Sequence, residues 1–145
     1  MSIRRAAKGA LKYPAVELTG LQARAAARGI ADVCAKVELA IYACAIMRDH
    51  VHLVVAAHQQ LDGDEIIVCL KRASTRGMND EGLHPMAAYP RSNGRLPSPW
   101  SGGGGWKVKI YSPRQMRDRI RYVEINPIRA GFKLQRWSFV VPFLG

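Results

Sequence analysis

A chain of 145 residues with 48% apolar side chains can bury one core and is too short for two of ordinary size. Lys and Arg number 22 against 11 Asp and Glu, so the formal net charge is +11 and the implied partner is a polyanion. There is no uncharged apolar run of about eighteen residues, and the basic N-terminus lacks the apolar stretch of a signal peptide. The expectation is a soluble, cytoplasmic protein without a membrane partner.

Residues 1–12 are basic and weakly patterned and read as an arm, and Tyr13 to Leu18 read as a short strand. Thr19 and Gln22 form a capping-box pattern, after which Ala26, Ile30, Val33 and Val37 recur at helical spacing, which predicts a helix over 20–36. From Val37 to Ala57 the chain is rich in Val, Ile, Leu and Ala, broken only at Arg48-Asp49. That pattern predicts two strands or one long bent strand with His50 and His52 at its centre. Cys34, Cys44 and Cys69 are odd in number and lack a C-x-x-C spacing, so they are expected to be small buried side chains rather than disulfide or zinc ligands.

Asp62 or Asp64 can cap a second helix whose apolar stripe is Ile66, Ile67, Leu70 and Ala73, with Lys71, Arg72 and Arg76 elsewhere and forming a cationic last turn. Residues 77–105, rich in Gly and Pro, read as one long connection within a single domain spanning residues 1–145. Trp106, Val108 and Ile110 alternate with Lys107, Lys109 and Tyr111, a strand pattern with one apolar and one basic face. Ser112, Pro113 and Gln115 then start a helix that buries Met116, Ile120 and Val123.

Two histidines two apart on a strand project from one face and can ligate one divalent ion, although a bare H-x-H pair fits a half-exposed polar strand about as well. His58 and His84 lack such partnering. Of the five tyrosines, Tyr122 is distinctive: it sits on an Arg-laden helix beside Arg119 and Arg121, off the apolar stripe. Asn126 lies four residues on and shares its side if the helix persists. Alternatively, Tyr122 packs at the core edge and Asn126 caps a new turn at Pro127-Ile128-Arg129-Ala130.

The segments Ala43-Cys44-Ala45-Ile46-Met47-Arg48-Asp49-His50-Val51-His52-Leu53-Val54-Val55 and Tyr122-Val123-Glu124-Ile125-Asn126-Pro127-Ile128-Arg129-Ala130-Gly131 resemble the IS200-like transposases. Among these the chain is most similar to the REP-associated tyrosine transposases, which are single-tyrosine HUH endonucleases. The resemblance spans about residues 13–143, with Arg48-Asp49 standing where the family commonly has Pro-Asn and no clear form of its N-terminal strand motif before Thr19.

The resemblance implies an α+β domain with a central antiparallel sheet and packed helices, similar to a ferredoxin-like or RNA-recognition fold. It also implies Mg²⁺ or Mn²⁺ on His50, His52 and Asn126, Tyr122 as nucleophile, and cleavage and rejoining of single-stranded or hairpin DNA through a 5′-phosphotyrosine link. A homodimer is a further partner that it leaves open. Lys71, Arg72, Lys107, Lys109, Arg114, Arg119 and Arg121 are the candidate DNA-backbone contacts, with Trp100 or Trp106 able to stack on a base unless buried. A non-catalytic nucleic-acid-binding module of the same fold is the alternative from another class. A hydrolase using bound water would leave Tyr122 without a role.

The charge excess concentrates in residues 106–136, with nine basic residues against Asp118 and Glu124. Affinity for single-stranded DNA is therefore expected to fall more than tenfold between roughly 50 and 200 mM salt, as counterion release requires. A filter-binding titration at the two salts checks this, and unchanged affinity would contradict it.

Overall fold

The computed structural model describes the backbone of residues 2–4 and all of residues 15–101 and 107–145. Three strands, β1 (Ser2–Arg4), β2 (Ile41–Ile46) and β3 (His50–Val55), form an antiparallel sheet in the order β1-β3-β2. The helices are α1 (Gly20–Val37), α2 (Gly63–Asp80) and α3 (Pro113–Arg129). The chain order β-α-β-β-α, with β3 between β1 and β2, matches the first five elements of a ferredoxin-like unit, so the expected α+β class holds.

Each helix begins where its side chains satisfy free backbone N–H groups. In α1, Thr19 Oγ1 accepts from Gln22 N–H at 3.2 Å while Gln22 Oε1 accepts from Thr19 N–H at 2.9 Å. Asp62, not Asp64, caps α2 through the same reciprocal pair with Glu65. Ser112 caps α3, with Pro113 behind it, but the Gln115 carboxamide reaches one residue further back to Tyr111 N–H.

The two faces of the sheet are sorted by alternation along the strands. Ile41, Cys44, Ile46, Val51 and Leu53 join α1 and α2 in the larger core, while Ala43, Ala45, Met47 and Val54 face Val123 of α3. A bulge between Ile41 and Ala43 allows both Ile41 and Cys44 to reach the larger core although they are three residues apart. At the outer edge of β2, the Gln135 side chain accepts from Ile46 N–H and donates to its carbonyl, both at 2.8 Å. Val141 N–H bonds Ile41 carbonyl further along. The C-terminal segment thus covers a row of backbone groups that would otherwise be open.

Four expectations need correction. The second helix does not end near Arg76: it continues to Asp80, so its last turn carries no basic residue and the long connection starts at Glu81. Gly77, read from sequence as the start of that connection, lies instead within the helix where α1 and α2 touch. Residues 15–19 form no strand, although Val16 and Leu18 are buried as alternation implies and Leu18 N–H bonds Arg48 carbonyl; Tyr13 and Pro14 lie outside the described residues. Residues 107–111 form no strand either, with Trp106 outside the described residues. Of the predicted apolar face, Ile110 packs inward while Val108 is exposed, and the β2 edge is already covered by the C-terminal segment. Finally, part of the N-terminal arm is strand: Ser2–Arg4 pair with β3, a segment too short to show a period.

The α1–α2 crossing is a backbone contact. A Cβ built on Gly29 would lie 1.9 Å from Ala73 carbonyl oxygen, and one on Gly77 would lie 2.2 Å from Ala25 carbonyl oxygen. Alanine elsewhere in a helix is favoured over glycine by about 1 kcal/mol, but here overlap with backbone wins. Gly29→Ala or Gly77→Ala should destabilise by about 2 kcal/mol or more and lower Tm by roughly 5 °C or more. Gly20→Ala, whose Cβ meets nothing within 4 Å, is the control and should be neutral or slightly stabilising by thermal melting.

Cys34 and Cys44 are buried and Cys69 is half-buried. Burial, with a smaller contribution from Cys69, pushes the Cys34 thiol up to about 11, and burial pushes Cys44 up as well. Near neutral pH the reactive thiolate is scarce at both, so iodoacetamide should label Cys69 first in native protein and the other two only on unfolding. Peptide mapping after brief alkylation checks the order, and early modification of Cys44 would contradict it.

Candidate active site

His50 and His52 lie on β3, the central strand, so backbone ladders on both sides fix their Cα positions. Between and after them, Val51 and Leu53 are each 1% exposed in the larger core. The period of two therefore points both imidazoles to the opposite face, that of α3. The hairpin turns tightly at Arg48-Asp49, closed by Met47 N–H on His50 carbonyl at 2.8 Å. Arg48 also sits over the Phe132 ring at 5.1 Å, which ties this turn to the C-terminal segment.

The two rings meet edge to face, with centroids 4.5 Å apart and their Nε2 atoms 2.9 Å apart. His50 Nδ1 lies 2.6 Å from Asp49 Oδ1. Ala45 is the cross-strand neighbour of His52, and its methyl group leaves room for the imidazole on that face. Among the described residues no third His, Cys, Asp or Glu joins the pair in a group of metal-ligand type.

α3 crosses this face with Met116 and Ile120 half-buried and Val123 buried against Ala43 and Ala45. Tyr122, one residue before Val123 and so about 100° round the helix, is 45% exposed. Its ring lies 6.1 Å from that of His52 at an interplanar angle of 80°. The structure thus brings Tyr122 to the histidine pair from a residue separation that periodicity alone does not bridge.

Asn126 is half-buried one turn further along the same side of α3. It is not an N-cap: the helix runs on through Pro127 to Arg129, and Asn126 carbonyl accepts Ala130 N–H at 3.1 Å. Pro127 removes one helical N–H, a loss offset near the helix end by complete burial of its ring. Two ring nitrogens and a carboxamide could hold a divalent ion, a donor set that suits Mn²⁺ better than the oxygen-seeking Mg²⁺.

The candidate DNA contacts fall into two groups on opposite sides of the sheet. Arg114, Arg119 and Arg121 are exposed on α3, with Lys109 exposed just before it. Lys71 and Arg72 belong to α2 on the other layer, where they line a cleft of about 1000 Å³ with Arg76, Arg95 and His84. Lys71 donates to Ser101 carbonyl at 3.0 Å, and burial lowers its pKa. Lys107 is exposed and forms an ion pair with Asp64, which is also exposed. Arg76 was read from sequence only as a helical cation and Arg95 was not singled out; the net charge alone hinted at Arg95, because the loop carrying it has no period.

The other histidines and Trp100 have structural work. His58 Nε2–H donates to Val37 carbonyl at 2.7 Å, and its Nδ1 accepts from Gln60 and Leu61 N–H. His84 is buried, its Nδ1 accepts Met86 N–H at 3.0 Å, and burial lowers its pKa. Trp100 is 4% exposed and donates to Thr75 Oγ1 at 3.1 Å, so its ring is not open for stacking. Among the described residues no helix is long and apolar enough to cross a membrane.

No curated protein matches the chain. The family described as "Transposase IS200 like" matches residues 12–94, a segment that holds α1, the β2–β3 hairpin with both histidines, and α2, and that ends before α3. With more than half of the chain matched, and with the H-x-H strand lying inside the match, the protein belongs to the IS200-like transposases.

Proposed function

We propose that the protein cleaves and rejoins single-stranded or hairpin DNA in transposition, with Tyr122 as the nucleophile and His50, His52 and Asn126 as ligands of a divalent metal. The observation that carries this reading is the approach of Tyr122 to within 6.1 Å, ring to ring, of a histidine whose Nε2 is 2.9 Å from that of its neighbour. A nucleophile exposed at 45% beside two converging ring nitrogens is accessible to a strand entering from solvent. A binding module has no need of that convergence.

A bound Mn²⁺ or Mg²⁺ supplies positive charge that polarises the scissile phosphate and favours the phenolate form of a nearby tyrosine. Tyr122 Oη forms a bond to phosphorus while the bond from phosphorus to the 3′-oxygen breaks. The phenolic proton is lost and the departing 3′-oxygen gains one. The 5′-phosphotyrosine ester keeps the bond energy, so a later 3′-hydroxyl can displace Tyr122 and rejoin or transfer the strand without a nucleotide cofactor. Arg119 and Arg121, flanking Tyr122 on exposed helix surface, supply counter-charge for the backbone of the same strand. Val123, buried against the sheet, anchors α3 here, which supports the reading because it restricts where the Tyr122 side chain can lie.

Tyr122→Phe should abolish the covalent protein–DNA band on a denaturing gel with labelled single-stranded substrate. DNA binding should stay within about threefold, and stability should change by no more than about 1 kcal/mol because one hydroxyl is lost from a residue that is 45% exposed. His50→Ala should also stop cleavage, but excess Mn²⁺ should partly restore it, whereas no metal concentration should rescue Tyr122→Phe. A wild-type covalent band from Tyr122→Phe would move the nucleophile elsewhere, with exposed Tyr111 at the start of α3 the next residue to test.

A further inference from the structure

The histidine pair carries an asymmetry that its sequence symmetry conceals. His50 has a carboxylate on its Nδ1, at 2.6 Å from Asp49 Oδ1, and faces His52 through its Nε2 at 2.9 Å. An ionised carboxylate only accepts, so in this contact Nδ1 carries the proton and donates it. A neutral His50 then has its lone pair on Nε2, directed at His52, and the hydrogen bond between the two Nε2 atoms is donated by His52.

We infer that Asp49 is a positioning residue that locks His50 as the Nδ1–H tautomer, presenting the Nε2 lone pair to the point shared with His52 before any ligand arrives. The lock does not require a metal, whereas its consequence for metal affinity rests on the proposed function. Several features of the fold make Asp49 able to do this. It immediately precedes His50 at the tight turn, where Met47 N–H is held by His50 carbonyl and Leu18 N–H by Arg48 carbonyl, each at 2.8 Å. A short side chain on so constrained a backbone has few other ways to meet the ring. The His50 side chain is only 18% exposed, while that of Asp49 is 48% exposed at the rim. The ring is thus sheltered and cannot rotate freely.

The exposure of Asp49 also decides which of its properties matters. A half-exposed charge is screened by solvent, so orientation through the hydrogen bond outweighs the electrostatic gain in donor strength. Asparagine, whose carboxamide oxygen can accept the same Nδ1–H, should therefore replace Asp49 with little loss, and alanine should not.

The experiment reads the His50 ring directly by long-range ¹⁵N–¹H correlation in the metal-free protein near neutral pH, and then measures Mn²⁺ affinity by titration of the free-ion signal. Wild type and Asp49→Asn should show His50 protonated at Nδ1, and Asp49→Ala should show a mixture of tautomers. Mn²⁺ affinity should fall about 10- to 100-fold in Asp49→Ala, as for loss of other groups that orient ligand histidines, and by no more than about threefold in Asp49→Asn. A purely structural role at the turn would weaken the fold without changing the tautomer, and thermal melting of each variant monitors that. An Nε2–H tautomer in wild type, an unchanged tautomer or Mn²⁺ affinity in Asp49→Ala, or failure of Asn to substitute would each overturn the inference. A locked tautomer that Asp49→Ala releases, in a wild-type protein that binds no Mn²⁺, would leave the lock standing and remove the metal from the proposed function.

Discussion

A slip of one residue in the pairing of β3 would turn His50 and His52 into the larger core and expose Val51 and Leu53, so the candidate site depends on the register of this strand. Several independent contacts hold it. The tight turn at Arg48-Asp49 sets the pairing with β2, while β1 pairs along the other edge of β3. The apolar burial of Val51 and Leu53 supplies the energy: each loses roughly 1.5–3 kcal/mol if brought into water, and the histidines would arrive in the core with ring nitrogens to satisfy. The strand thus has one stable facing, and the site inherits its geometry from it.

The two layers on the sheet solve different packing problems. Against the larger core, α1 and α2 come so close at Gly29 and Gly77 that their backbones touch, which makes the helix pair a rigid cover. On the other side, among the described residues, α3 is the one helix, seated on Ala43 and Ala45, whose methyl groups keep that face shallow. A shallow, half-covered face allows an imidazole pair, a tyrosine ring and solvent to share one place. Larger residues at Ala43 or Ala45 would lift α3 and separate Tyr122 from His52.

Charge follows the same division. The exposed arginines of α3 surround the face with Tyr122, whereas Lys71, Arg72, Arg76 and Arg95 gather at a cleft on the α2 layer. The candidate backbone contacts among the described residues are thus divided between two surfaces separated by the sheet. Neutral His84 and the buried indole of Trp100 shape the inner wall of that cleft without adding charge to it.

Local chemistry was legible in the residues themselves. The caps at Thr19, Asp62 and Ser112, the helical stripes, the common facing of His50 and His52 and the burial of Cys34 and Cys44 follow from interactions within a few positions, or from period and polarity, which a sequence displays directly. What failed were readings of a residue whose partner is distant. Gly77 looks like a helix end until α1 is seen lying against it. Val108 and Ile110 alternate as a strand does, but no edge within the described residues receives them. The sequence by itself determined which groups are chemically capable and which way each element would face. Only the tertiary structure decided that Tyr122 meets His52 across 70 residues of chain and that Lys71 and Arg72 stand on the far layer, because such distances are set by packing between elements and leave no periodic trace in either one.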